Sequence, residues 1–316
     1  MDRSQGCIIG RFAPSPSGRM HVGNAFASLM AWLAARVEGG RMVLRIEDLD
    51  ERTRDRAVAE TLIDDLAWMG LGWDEGPYWQ SEREGVYADT FARLEERGLV
   101  YPCFCSRADL HAATAPHASD GTYVYQGTCR GLSPAEVERR RIGRPPAMRL
   151  KVDGAEISFD DAVFGPQHKV LERDCGDFVV RRADGVYAYQ LACAVDDALM
   201  GVTQVVRGND LLGSTGRQMY VQQLLGLPSP SYGHVPLLVA ADGRRLAKRD
   251  GDLDMGALRS RGISPERLVG WLGSLAGLVD KGAVLSADEL VAHFSWDAMR
   301  ACNHQIVVDA DALSAV

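Results

Sequence analysis

A histidine behind a rigid turn and a cationic loop more than two hundred residues downstream are the groups best placed to do chemistry. His21 lies in Pro14-Ser15-Pro16-Ser17-Gly18-Arg19-Met20-His21-Val22-Gly23-Asn24, which follows the apolar run Cys7-Ile8-Ile9-Gly10 and opens a helix-like stretch. That order puts a Pro/Gly turn, an imidazole and the N–H groups of a helix's first turn in one place. Dipole and N–H donors act together there on an anion. The second segment, Arg245-Leu246-Ala247-Lys248-Arg249, sets cations on a Gly-flanked loop. The pair points to a site that grips a polyphosphate from two sides.

A third group carries metal chemistry. Cys103, Cys105 and Cys129 cluster, and in an intracellular chain such spacing reads as metal before disulfide. A closed structural zinc site needs four ligands. Tyr125, His111 and His117 are the candidates for the fourth. By generic chemistry a histidine is preferred, because a tyrosine must lose a proton from a pKa near 10. The remaining cysteines, Cys7, Cys175, Cys193 and Cys302, read as small hydrophobes. Arg130, Arg139, Arg140, Arg141, Arg144 and Arg149 form a basic segment. It suits either an RNA backbone or a solvated helix end partly paired with Glu136 and Glu138.

The elements that must position these groups show in the hydrophobic periodicity. Cys7–Arg11 reads as a strand and Met20–Val37 as a helix stopped by Gly39-Gly40. Met42–Ile46 reads as a strand ending in Glu47-Asp48-Leu49-Asp50. Helices are expected over Thr53–Met69 and Glu82–Arg97, closed by Gly70 and Gly98. This βαβα order argues for a doubly wound parallel sheet of α/β class. Regular signals break over residues 101–185, read as an inserted zinc-binding subdomain. They resume with Val186–Ala198, Thr203–Arg207, a helix from about Ser214 to Leu225 and a strand at Val235–Ala240. From Asp254 the chain reads as helical. The expected units are 1–100 and 186–253 as two halves of one Rossmann-like domain, the 101–185 insertion, and a small helical domain at 254–316.

Composition narrows the classes. With 316 residues, 46% hydrophobic and 25% charged, the chain reads as an ordinary globular protein with room for a sizeable core. A net charge of −8 argues against a generally basic nucleic-acid binder but leaves room for a local basic face. Neither a long apolar run nor a signal-peptide pattern is evident, so the expectation is a cytoplasmic protein with no membrane contact.

The His21 segment resembles the HIGH signature of class I aminoacyl-tRNA synthetases, and Arg245–Arg249 resembles their KMSKS loop. Arg11-Phe12-Ala13-Pro14-Ser15-Pro16-Ser17-Gly18, Arg45-Ile46-Glu47-Asp48-Leu49-Asp50, Arg207-Gly208-Asn209-Asp210-Leu211-Leu212 and His234-Val235-Pro236-Leu237-Leu238 resemble the glutamyl subgroup, in its order. The resemblance implies that a carboxylate attacks the α-phosphate of ATP and pyrophosphate leaves. Such a site must position both reactants and stabilise spreading negative charge. His21 would donate to phosphate oxygens, with Gly23 and Asn24 beside the nucleotide, and Lys248 would neutralise the leaving phosphates with Mg²⁺. A dicarboxylic substrate needs cations, and guanidinium binds carboxylate bidentately. By the resemblance Arg11, Ser15, Glu47, Tyr189 and Arg207 form a glutamate site, Glu47 taking the ammonium. The plain alternative is that Arg207 or Glu47 pairs with a local residue at its strand end. Tyr-x-x-x-Cys after Cys-x-Cys also resembles a pattern in small glutamyl-synthetase paralogues, where tyrosine is a zinc ligand. That implies Cys103, Cys105, Tyr125 and Cys129 around one structural Zn²⁺.

Full glutamyl-tRNA synthetases carry a large C-terminal anticodon-binding region, and only about sixty residues follow the Lys248 loop. The chain therefore resembles the glutamyl-queuosine tRNA(Asp) synthetase family of free-standing catalytic-domain paralogues. That family is expected to activate glutamate with ATP without tRNA and to attach it to queuosine in the anticodon loop of tRNA(Asp). A monomer is expected. One alternative is a short glutamyl-tRNA synthetase that charges the tRNA 3′ end. Another is a catalytically silent RNA- or metal-binding module, against which the His21, Lys248, Arg11 and Arg207 set stands.

Overall fold

A computed structural model describes residues 7–106, 109, 124–244, 246 and 254–308. Strand β1 (Ile9–Phe12) runs parallel to β2 (Arg41–Ile46), with Ile9 opposite Arg41 and Phe12 opposite Leu44. Strand β3 (Glu75–Trp79) continues the sheet in parallel beyond β2. The connections are α1 (Val22–Arg36) and α2 (Arg56–Trp68). Helix α2 starts about one turn later than the expected Thr53. Asp50 caps a separate 3-10 turn at Glu51–Thr53, and Asp55 then accepts from the Ala57 N–H to begin α2.

After α3 (Glu84–Glu96), the chain leaves this sheet. Strands β4 (Val100–Cys103), β5 (Ala147–Leu150) and, later, β8 (Phe178–Arg181) form a small antiparallel sheet, with α4 (Pro134–Gly143) ahead of β5. Between β5 and β8, β6 (Glu156–Asp161) and β7 (Gly165–Val170) make a hairpin followed by the short α5 (Leu171–Asp174). Helix α6 (Tyr189–Leu199), β9 (Gln204–Gly208), α7 (Leu212–Leu225) and β10 (Ser231–Val235) restore the α/β alternation. β9 and β10 are parallel. Thr203 ties the two halves together: its N–H donates to Ile9 O at 2.9 Å and its Oγ1 accepts from Ile9 N–H at 2.8 Å. The order across the molecule is therefore β3-β2-β1-β9-β10, and the winding reverses between β1 and β9. Open α/β sheets bind ligands at such a crevice, outside the C-terminal ends of the strands.

The sheet system is mixed, not purely parallel, because β6 pairs with β10 at Tyr232–Asp161 and carries β7 antiparallel at its other edge. The strand expected over 235–240 is split by Pro236 into the end of β10 and β11 (Leu237–Val239), since proline removes a ladder donor. The 254–308 stretch is helical as expected in α8 (Met255–Ser260), α9 (Pro265–Leu275), α10 (Ala287–Val291) and α11 (Trp296–Ala301). It also adds a strand, β12 (Gln305–Val307), parallel to β11.

Helix α1 sits at the centre. Ala25, Phe26, Leu29, Met30 and Leu33 are buried together with Leu268, Leu272 and Leu290 of the C-terminal helices. A helix apolar on nearly every face has to be covered all round. Gly10 allows its close approach to the sheet: a Cβ there would lie 2.7 Å from Met42 Sδ and 3.1 Å from Ala35 Cβ. A second core joins Tyr87, Phe91, Leu150, Val180, Leu191 and Val221. Among the described residues no helix is long and apolar enough to cross a membrane.

Candidate active site

An open cleft of about 720 Å³ lies at the crevice between β1 and β9. Arg11, Ser15, His21, Gly23, Asn24, Glu47, Tyr189 and Arg207, the expected ATP and glutamate residues outside the basic loop, all line it. Lys248 lies outside the described residues. Leu246 before it lines the same cleft, and Asp254 after it forms a backbone bridge with His21.

His21 is the N-cap of α1. Its backbone is extended, with φ −104° and ψ 165°, and its Nδ1 accepts from the Gly23 N–H at 3.1 Å. An accepting Nδ1 carries no proton, so Nε2 is the ring's donor. Gly23 has a nearer reason to be glycine than room for a nucleotide. A Cβ at this position would lie 2.9 Å from the His21 ring, so the imidazole folds back only over a residue without a side chain. Ser15 and Asn24 are exposed at the mouth.

The cleft floor is a web of buried charge. Arg11 Nε is 3.3 Å from Asp197 Oδ1, and Arg45 Nη1 is 2.7 Å from the same oxygen. Arg45 Nη2 also reaches Glu47 Oε1 at 3.1 Å. Burial pushes the Asp197 carboxyl up, but Arg45 and Arg11 more than offset this and hold it below the usual range. Burial dominates at Glu47 and raises its pKa against the pull of Arg45 and Arg11. Among the described residues Asp197 is the only ion-pair partner of Arg11, which also lines the cleft.

Arg207 is arranged differently. Its Nη1 donates to Gln218 Oε1 at 2.8 Å and Tyr189 Oη at 3.2 Å. Its Nη2 donates to Thr215 Oγ1 at 2.9 Å and Leu211 O at 3.4 Å, and its Nε to His234 Nε2 at 3.1 Å. Every one of these partners is neutral. The strand-end alternative therefore holds for Glu47, which pairs with Arg45. It holds for Arg207 as well, though its local partners just beyond the strand, Leu211, Thr215 and Gln218, are neutral and none among the described residues is a carboxylate. Tyr189 opens α6, and burial pushes its phenol up, keeping it a neutral hydroxyl.

Sequence reading assigned no role to Arg45, Asp197, Asp161 or His234. Two successive acids, Asp196 and Asp197, inside an apolar helical run were the available signal. Asp196 is fully buried and holds Arg83 Nε at 2.8 Å, Gln80 at 2.9 Å and Tyr87 Oη at 2.7 Å.

The cysteine cluster forms as expected. The Cys103, Cys105 and Cys129 sulfurs all lie within 4.8 Å of one another. Tyr125 Oη is 3.4 Å from Cys103 Sγ and 3.9 Å from Cys105 Sγ, and it accepts from the Cys129 N–H at 2.8 Å. Three thiols and a phenol converge, a donor set that fits a tetrahedral metal. Arg149 Nε donates to Cys103 Sγ at 3.2 Å, and its guanidinium lies 3.7 Å from the Tyr125 ring centroid. Burial pushes Cys105 up to about 12 and raises Tyr125 further still, so both need a cation to ionise. His111 and His117 lie outside the described residues.

The basic segment is not one face. Arg149 is buried against the cysteine cluster, and Arg130 pairs with Asp153 and Asp177. Arg139, Arg140, Arg141 and Arg144 are exposed on and just after α4, with Arg141 3.4 Å from Glu138. Cys7 is also exposed and does not pack as a hydrophobe, whereas Cys175 and Cys302 do; Cys193 is buried in the charge web instead, accepting from Arg45 Nη2 at 3.4 Å and donating to Asp197 Oδ2 at 3.5 Å.

Comparison with known proteins agrees with this geometry. The family model for class I tRNA synthetases (E and Q), catalytic domain, matches residues 8–309. A Symbiobacterium thermophilum protein named glutamyl-Q tRNA(Asp) synthetase is 49% identical, with 98% of both chains covered. One of the same name from Nitratidesulfovibrio vulgaris is 49% identical over 86% of this chain and 87% of its own. Glutamate–tRNA ligase 2 of Alkalilimnicola ehrlichii is 46% identical over 84% of this chain and 58% of its own. The crystal structure of a glutamate tRNA ligase from Elizabethkingia meningosepticum in complex with its amino acid superposes with a TM-score of 0.81. Its identity is 25%, and 98% of this chain and 68% of that one are covered.

Proposed function

The chain belongs to the class I tRNA synthetase family for glutamate and glutamine and is a ligase of that type; from this premise we propose that it activates glutamate with ATP, without tRNA, and transfers it to queuosine in the anticodon of tRNA(Asp). The observation that carries the amino-acid half is Arg11 and Arg207 converging with Glu47 and Tyr189 in the cleft that His21 borders. Two cations and one anion match two carboxylates and one ammonium. The acceptor half rests on likeness along 98% of both chains to a relative named for that reaction.

In this reading Arg11 clamps one substrate carboxylate through its fork, and Arg207 supplies charge to the other. Glu47 holds the ammonium. The α-carboxylate oxygen attacks the α-phosphorus, the bond to the bridging oxygen breaks, and pyrophosphate leaves with that electron pair. His21 Nε2–H and the N–H groups opening α1 meet the phosphate oxygens as charge builds. Lys248 would neutralise the leaving pyrophosphate, and Mg²⁺ carried with ATP would supply further positive charge there. Cys103, Cys105, Cys129 and Tyr125 would hold a structural zinc, with Arg149 offsetting its thiolate charge. The zinc would fix the segment that presents Arg139, Arg140, Arg141 and Arg144 to an RNA backbone. None of the seven cysteines is in a disulfide, which suits a reducing compartment such as the cytoplasm.

Labelled glutamate, ATP and two tRNA pools, one lacking queuosine, test the proposal. Glutamate-dependent ATP–pyrophosphate exchange is expected without tRNA, and label is expected only on the queuosine pool. Equal labelling of both pools, released by trimming the 3′ end, would establish a glutamyl-tRNA synthetase instead. Absence of exchange with any amino acid would leave a silent binding module.

A further inference from the structure

Arg207 is oriented from behind by two residues that do not line the cleft. Its Nε–H can only donate, so the His234 Nε2 it meets at 3.1 Å must accept. The proton of a neutral His234 is then on Nδ1, which lies 2.6 Å from Asp161 Oδ2. Both side chains are 0% exposed. Asp161 is itself pinned, because its other oxygen accepts from the N–H groups of Val163 and Phe164 at 3.0 Å and of His234 at 3.2 Å. One tautomer and one ring orientation satisfy all these bonds.

We propose that His234 and Asp161 are positioning residues for the amino-acid pocket: they hold the Arg207 guanidinium in the one orientation that turns its Nη edge to a substrate carboxylate. The inference rests on the glutamate reading above. The longest Nη contacts, to Tyr189 and Leu211, are on the cleft side, and a carboxylate replaces these two. The contact from Nε to His234 is on the far side and persists through the exchange. The hairpin strand β6 delivers Asp161, so the pocket depends on a segment remote from both signature motifs.

Protonation of His234 would set an N–H against the Arg207 N–H and break the chain. The groups around the ring are Asp161 on β6, Arg207 at the end of β9, Asp210 just after it, Thr215 Oγ1 on α7 at 3.3 Å, and the Tyr232 ring stacked at 6.2 Å on β10. Burial and the Arg207 charge outweigh Asp161 and Asp210 and hold the imidazole below its ordinary pKa. Glutamate binding should therefore weaken only as the solution is made more acid than the ordinary imidazole value.

The test compares His234→Asn and His234→Gln in the full chain. Asparagine places an amide near the Nδ1 position and leaves the Arg207 Nε–H without an acceptor. Glutamine places its oxygen near Nε2 and keeps that acceptor. By exchange kinetics, His234→Asn should raise the glutamate KM about 10- to 100-fold, the loss of a buried hydrogen bond to a charged group. His234→Gln should stay within a few-fold, and the ATP KM should be unchanged in both. The wild-type glutamate KM should rise as pH falls below the ordinary imidazole value of about 6.5, and His234→Gln should lack that rise. A wild-type glutamate KM in His234→Asn overturns the inference, as does equal loss of glutamate and ATP use in both variants. If His234→Asn does not fold, a flat wild-type pH profile overturns it. Absence of glutamate exchange in the wild type overturns the glutamate reading itself.

Discussion

Replacing Arg11 with alanine separates substrate binding from stability more cleanly than any other change in the cleft. Arg11 shares Asp197 Oδ1 with Arg45, at 3.3 Å and 2.7 Å. Removal of Arg11 leaves that buried carboxylate paired with Arg45, so the penalty of an orphaned buried charge does not arise. Arg207→Ala has no such cover, because it strips donors from Gln218, Thr215, Tyr189 and His234 together. What Arg11→Ala does lose is a guanidinium fork that lines the cleft. Charge-assisted hydrogen bonds of this kind are each worth about 1.5–3 kcal/mol net. A loss of about 2–3 kcal/mol corresponds to about 30- to 150-fold in kcat/KM for glutamate. Arg11→Lys should fall between, since it restores charge but not the fork. The assay is glutamate-dependent ATP–pyrophosphate exchange with each substrate varied in turn, beside a thermal melt. The ATP KM should hardly move. A folded Arg11→Ala protein with wild-type kcat/KM for glutamate would refute Arg11 as a carboxylate ligand.

Gly23→Ala should slow exchange while sparing glutamate affinity, because its Cβ would push on the His21 ring at 2.9 Å; wild-type turnover would show that the ring's folded-back pose is irrelevant. Metal analysis should find one zinc per chain, and Tyr125→Phe should bind it more weakly; unchanged affinity would remove Tyr125 from the ligand set. Asp197→Asn should cost about 3–5 kcal/mol in urea unfolding, since Arg11 and Arg45 lose their shared carboxylate. The folded pKa of Asp197 is depressed, so the stability it contributes is present above the unfolded value near about 3.9 and is lost as pH falls. The acid limb of stability should accordingly flatten in Asp197→Asn, and an unchanged limb would show the pair contributes nothing.

Local chemistry was legible in the residues alone. The Pro/Gly turn before His21, the strands over 7–11 and 42–46, the Gly70 and Gly98 stops and the Cys103–Cys105–Cys129 spacing all act within a few residues of themselves. Their positions in the chain therefore announce them, and the motif order announced the family. The partners of those groups were not legible. Asp197 meets Arg11 and Arg45 only because α6 packs against the strand ends, and Asp161 meets His234 only because β6 returns to pair with β10 at Tyr232. Arg149 looked like part of a basic face, yet β5 turns it inward onto Tyr125 and Cys103. Strand β12 exists because β11 offers it an edge, in a stretch whose own pattern reads as helix. Period and turn type reside in a segment's own side chains. Register and which sheet edge is open depend on how distant segments pack, and a buried charge takes whichever partner that packing brings within about 3 Å.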